Sequence, residues 1–209
     1  MENLIIHEPK AIERRSFEII TETLGDRVFP PEQEGIIKRV IHTSADFDYA
    51  DNLVFGNNAV ASGIKALREG CTVITDTNMA YSGINQKNLD KFNSRKACYI
   101  ADPDIAKLAL EKDTTRAVQA MEYAAGLSGN KIFAIGNAPT ALLALYEMIK
   151  AGKLTPALIV GVPVGFVNVV ESKEIFLDTD VPYIIAKGRK GGSNVAAAII
   201  NALMLEALK

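Results

Sequence analysis

The chain has 209 residues, with 23 basic and 25 acidic side chains and a formal net charge of −2. Hydrophobic residues make up 48% and charged residues 23%, which is globular composition at a length suited to one core, so a single domain is expected over 1–209. The lack of a basic excess or stripe disfavours nucleic acid as a partner, and two isolated cysteines, Cys71 and Cys98, give no zinc spacing and fit a reduced, cytoplasmic compartment.

The opening MENLIIHEPK is acidic early and holds only a short apolar run, unlike a secretory leader. His7, within it, reads as a surface residue. A first helix is expected from Pro9, a good first-turn residue, to about Gly25, with Ile12, Phe17, Ile19, Ile20 and Leu24 as its apolar side. A second follows Pro30 and Pro31, carries Ile36, Ile37, Val40 and Ile41, and ends at His42. A third spans about Asn58 to Glu69.

Strands then alternate with helices. Cys71–Thr75 is a short β-branched strand, and Ala97–Ala101 is the next, followed by a helix from Pro103 and another over Thr114–Leu127. Lys131–Ile135 runs into GNAPT and a helix ending near Gly152. Ala157–Val162 and Pro182–Ala186 are the last strands, and Gly191 opens the final helix. Its apolar stretch, Val195–Leu208, is shorter than the ~20 residues of a membrane span and includes Asn201 and Glu206, so no membrane role is expected. The final helix is apolar on more than one face, so the sheet and a neighbouring helix, or a second subunit, must cover it.

Apolar strands alternating with helices imply a three-layer α/β/α fold with a mainly parallel sheet of about five strands. Ligands of such folds sit beyond the C-terminal strand ends, here the segments 76–79, 136–140, 161–166 and 188–194.

Among residues able to do chemistry, His42 stands out. It either complements the negative end of its helix or acts as an acid/base group. Arg39, three residues earlier, shares its helical face. Asp46 and Asp48 either orient the ring or cap a turn. No GxSxG occurs, which argues against a hydrolase built on His42 and Ser44. Ser16 lies on the apolar stripe of the first helix, where a polar residue is back-bonded to its own helix or faces a ligand. GRKGGSN and GNAPT match neither a Walker A loop nor GxGxxG. Each still places glycine or asparagine between a strand and a helix N-terminus, which is either a setting that suits an anion or a mere tight turn. No metal site is expected from two histidines and two cysteines, and Asp76, Asp102 and Asp104 are weak candidates for magnesium.

Seven motifs in order, ERRSFEII, KRVIHTSADFDYA, ITDTNM, TTRAVQA, IGNAPTALL, GVPVGFVNVVESKE and GRKGGSNVAAA, resemble the precorrin-8X / cobalt-precorrin-8 methylmutases of cobalamin biosynthesis over essentially the whole chain. The resemblance implies a cytoplasmic homodimer with its active site near the subunit interface. It implies a cofactor-free isomerisation in which a methyl group moves between adjacent carbons of ring C, formally a 1,5-sigmatropic shift, to give (cobalt-containing or metal-free) cobyrinic acid. It places His42 as the catalytic proton donor/acceptor and Ser16, Arg39 and Arg116 against the substrate. Thr43, next to His42, and Asn137, Thr140, Arg189 and Ser193, in or beside the segments after the strands, are further substrate-binding candidates. TSADFDYA resembles the cobalt-containing branch more than the metal-free one.

The residues themselves agree with this chemistry. A sigmatropic shift asks the protein for no nucleophile, hydride or metal, only a well-placed proton and a held substrate, and arginines suit a macrocycle ringed by carboxylates. Two other readings share the same turns: a corrinoid carrier with no need of His42, and an α/β enzyme that binds a phosphate ligand.

Overall fold

The structure, a computed structural model, describes residues 7–209. The expectation about a leader therefore falls on residues outside those described. In chain order the elements are α1 (Pro9–Leu24), α2 (Pro31–Ser44), α3 (Tyr49–Asn52), β1 (Leu53–Gly56), α4 (Ala59–Arg68), β2 (Thr72–Thr75), α5 (Asn78–Gly83), α6 (Gln86–Asp90), β3 (Arg95–Cys98), α7 (Pro103–Glu111), α8 (Arg116–Gly126), β4 (Lys131–Ile135), α9 (Pro139–Lys150), β5 (Leu158–Gly161), α10 (Val169–Glu174), β6 (Tyr183–Ala186) and α11 (Ser193–Ala207).

The strands form one sheet in the order β1-β6-β5-β4-β2-β3. Strands β2 to β6 run parallel, and β1 pairs antiparallel with β6, with Leu53 opposite Ala186. The parallel part matches the five strands read from the sequence. β1 is an additional edge strand, closed off by Asn57 and Asn58 in the left-handed region. The Asn57 side-chain amide donates to the Thr179 and Val181 carbonyls and so fixes the turn beside β6. β3 starts two residues earlier than expected.

β2, β4, β5 and β6 are buried along their whole length, which explains their unbroken apolar runs. On one face, Ile36, Ile37, Val40 and Ile41 of α2 pack with α4 and α11. On the other face, Ala120, Met121, Leu142 and Leu145 of α8 and α9 meet Phe133, Ile135 and Phe176.

α11 runs through the middle of the first layer, against α2, α4, α5 and the sheet. Its alanines keep those neighbours close. Its apolar faces are thus covered within one chain, and α11 supplies no argument for a second subunit.

α1 lies outside that layer, seated on α2. The Glu8 carboxylate caps it by accepting from the Lys10 and Ala11 N–H groups. Ile20 and Leu24 are its buried residues, whereas Ile12 and Ile19 are each 46% exposed. The apolar side expected for this helix is therefore only partly an inner one. His7, just before it, is exposed. Both cysteines are free; Cys71 is buried, and burial pushes its thiol pKa up. No helix among the described residues is long and apolar enough to cross a membrane.

Candidate active site

His42 sits in the last turn of α2 and is exposed. Its ring stacks on Phe17 of α1, with centroids 5.2 Å apart and planes inclined by 18°. The guanidinium of Arg39 lies over the same Phe17 ring, 4.7 Å from its centroid, and donates to Glu13 Oε1 at 2.7 Å. One phenyl ring thus orients both groups that project from this face of α2. Glu13, Phe17 and Thr21 also line an open depression along α1 beside this cluster. Ser16 is half-buried on α1 and its hydroxyl donates to the Ile12 carbonyl at 2.8 Å, the back-bonded arrangement. Its oxygen lone pairs remain able to accept. Thr43 follows His42 and is exposed.

The end of α2 is tied to the turn that leaves β6. Lys190 Nζ reaches Asp46 Oδ2 and Asp48 Oδ2, each at 2.6 Å. Lys190 holds the Asp46 carboxyl below the usual carboxylate range. Asp46 also accepts from the Asp48 N–H at 3.0 Å, and Ser44 Oγ accepts from the Asp46 N–H at 3.3 Å. The two aspartates therefore build a turn and bind Lys190. The segment that follows His42 is consequently tied to the turn at the C-terminal end of β6.

The rim is tightly built. The Asp76 carboxylate, at the end of β2, accepts the N–H groups of Gly136, Asn137 and Ala138 at 2.7–2.9 Å. Burial raises the Asp76 pKa, against the lowering effect of those three donors. Of the two readings of GNAPT, the tight turn holds and the anion site does not, because its backbone donors are already taken by Asp76. It also corrects the weak magnesium reading. Asp76 is committed to this turn, Asp102 caps α7 through the Asp104 N–H, and no such ligand group exists among the described residues.

Thr77 and Ser193 share a 2.7 Å hydroxyl hydrogen bond, so the β2 turn meets the start of α11. A β-carbon on Gly136 would come within 2.6 Å of Ser193 Cα, and one on Gly191 would overlap the Val162 carbonyl; larger residues at either position would force these turns apart. The Gly192 N–H is likewise committed, to the Val162 carbonyl at 2.8 Å.

Arg116 and Thr140 lie on the opposite layer. Thr115 caps α8 through the Val118 N–H, and its hydroxyl sits 3.2 Å from that of Thr140 near the start of α9. Arg116, the first residue of α8, is exposed beside them. Asn137 and Arg189 have exposed side chains, while Ser193 is buried. The rim therefore carries His42, Arg39 and Ser16 with the α1/α2 layer, Arg116 and Thr140 with the α8/α9 layer, and Asn137, Arg189 and Ser193 on the turns between. Exposed apolar residues follow two of the strands: Met79 in α5 after β2, and Val164, Phe166 (83%) and Val167 (78%) after β5. Phe17, Thr77 and Lys173 were not singled out by sequence reasoning. Only Lys173 had a usable signal, a lysine inside the apolar-flanked VVESKE.

The arrangement presents an exposed histidine, exposed and half-buried arginines and apolar surface around an open rim. It has clear relatives. The sequence model of the family described as precorrin-8X methylmutase matches residues 11–206. The cobalt-precorrin-8 methylmutase of Salmonella typhimurium is 46% identical, covering 95% of this chain and 96% of that protein. The enzyme of the same name from Priestia megaterium is 45% identical, covering 95% and 88% respectively. The crystal structure of precorrin-8x methyl mutase from Thermus thermophilus superposes with a TM-score of 0.87 at 38% identity, over 95% of this chain and 98% of that one. The chain belongs to the precorrin-8X methylmutase family, and its function is that of an isomerase in cobalamin biosynthesis.

Proposed function

We propose that the protein acts on cobalt-precorrin-8, moving a methyl group between adjacent ring C carbons with His42 as the acid. The observation that carries this is the His42–Phe17–Arg39 cluster, held at the strand rim by the Lys190 bonds to Asp46 and Asp48. His42 lends a proton, or a strong hydrogen bond, to the conjugated system. One carbon–methyl bond then breaks as its neighbour forms, and the proton is returned, so substrate and product are isomers. General acid catalysis of this kind supplies about 10²–10⁴ in rate. The remainder comes from holding the macrocycle in a reactive shape. Arg39 and Arg116 pair with peripheral carboxylates from the two layers, Ser16 and Thr43 accept or donate beside His42, and Asn137, Thr140, Arg189 and Ser193 serve the strand-end side.

The cobalt form is preferred because the relatives at 45% and 46% identity carry the cobalt name, while the Thermus protein, named for precorrin-8x, stands at 38%. The same reading takes the chain as one cytoplasmic domain working as a homodimer, with a second copy completing the open rim over Phe166 and Val167. Committed backbone donors at Gly136–Ala138 and Gly192 weigh against a phosphate ligand.

The test is optical. Purified protein is incubated with precorrin-8X and, separately, with cobalt-precorrin-8, and the visible spectrum is followed. Conversion of the cobalt form to the corrin spectrum supports the proposal, and faster conversion of the metal-free form overturns the cobalt assignment. Binding without conversion of either indicates a carrier.

A further inference from the structure

Helix α10 is six residues long, yet it carries a lysine that solvent does not reach: Lys173 is 0% exposed. An ammonium group out of water is costly unless hydrogen bonds replace its hydration, and methionine would fill similar space without that cost. What the charge obtains here is a carbonyl from each of two turns. Nζ donates to the Pro163 carbonyl at 3.2 Å, in the turn leaving β5, and to the Lys190 carbonyl at 3.0 Å, in the turn leaving β6.

The same two turns meet through Gly192 N–H to the Val162 carbonyl at 2.8 Å and Gly165 N–H to the Arg189 carbonyl at 3.2 Å. Lys173 sits beneath this seam and supplies its charged bond. Lys190 then continues the connection, since its side chain binds Asp46 and Asp48 at the end of the His42 helix. The main chain of Lys190 is thus held from below by Lys173, while its side chain holds α2.

We propose that Lys173 is a positioning residue for the methyl migration: it locks the β5 and β6 turns together and, through Lys190, sets the His42 end of α2 at the rim. The catalytic half of this proposal rests on the methylmutase reading; the clamp does not. Lys173 touches no substrate in this role. Its loss should loosen one seam while the rest of the fold stays intact, because the seam lies at the surface end of the sheet and the two apolar cores lie below it.

The experiment compares wild type, Lys173→Met and Lys173→Arg by circular dichroism, by trypsin nicking mapped with mass spectrometry, and by kcat and KM for cobalt-precorrin-8. In Lys173→Met, nicking after Lys187, Arg189 and Lys190 should be about tenfold faster, with cleavage after Lys65 and Lys107 unchanged. Its kcat should fall about tenfold or more while KM changes less, as expected for misplacement. Lys173→Arg, which keeps the charge and the donors, should move both readouts back toward wild type. Wild-type nicking and kcat in Lys173→Met would overturn the proposal. Uniformly faster nicking along the whole chain would also overturn it, by making Lys173 a general stabiliser. If wild type converts neither pigment, the methylmutase reading fails, and the nicking pattern still decides for or against the clamp.

Discussion

The Phe17 and His42 rings, from two different helices, lie 5.2 Å apart and nearly parallel, and Arg39 covers the same phenyl ring. Phe17 therefore restricts the His42 ring and the Arg39 guanidinium together. Phe17→Ala is expected to lower kcat by about tenfold to a hundredfold. Because Phe17 acts through His42, the double variant with His42→Ala should be no slower than His42→Ala alone; additive losses would show that the two act separately. Phe17→Tyr should retain most of the activity.

His42 is exposed on a helix whose other face is buried, so its side chain is dispensable for folding. His42→Ala and His42→Phe should stay within about 1 kcal/mol of wild-type stability, the loss in the alanine variant being the stack on Phe17. Both should bind pigment and lose turnover by about 10²–10⁴. Single-turnover spectra together with pigment binding measured by fluorescence quenching check this. Full activity in either variant would remove His42 from the mechanism.

Asp76 serves three backbone N–H groups at once. Asp76→Ala leaves them without that acceptor and should cost at least about 2 kcal/mol in urea denaturation. Asp76→Asn keeps one acceptor oxygen and should cost less. Equal stability of the alanine variant and wild type would mean that water replaces the carboxylate without loss.

Burial lowers the Lys173 pKa to about 8, from 10.5 for a free lysine. Between these values the unfolded chain holds the proton that the folded chain has released. Stability from this group therefore rises with pH from 8 to 10.5, by up to about 1.4 kcal/mol per pH unit. Below pH 8 the cost of the buried charge is present in full. Lys173→Met lacks this dependence, so wild type should gain on the variant by about 2–3 kcal/mol across that window, as read by chemical denaturation at each pH. A pH-independent gap would place the Lys173 pKa outside this range.

What the sequence made legible follows from length. α2, α9 and α11 are long enough to show their periodicity, and β4 and β5 show as apolar runs between breakers. β1, α5, α6 and α10 have four to six residues each, too few for a period to register. The rim was legible as four polar, glycine-bearing or proline-bearing segments after strands; His42, Arg39 and Ser16 stood out by residue type and spacing, and the family resemblance gave them and Arg116 their roles. Its internal wiring was not legible. Asp76 reads as a possible metal ligand until the fold brings it to the turn at Gly136, about 60 residues away. Phe17 reads as an ordinary apolar helix residue, because only tertiary placement stacks it on His42, whereas the apolar flank of Lys173 in VVESKE hints at its burial without showing its two carbonyl partners.

The path of α11 has a consequence for how the chain acquires its shape. Residues 193–207 fill the space that α2, α4 and α5 enclose, and α2 precedes them by roughly 150 residues. A nascent chain emerging from the ribosome holds α2 with its apolar face unmatched until α11 has been made. The His42 helix is thus among the first segments synthesised and among the last to reach its final seat. Slow, late docking and a need for chaperone shielding in the interval are the expected cost of that wiring.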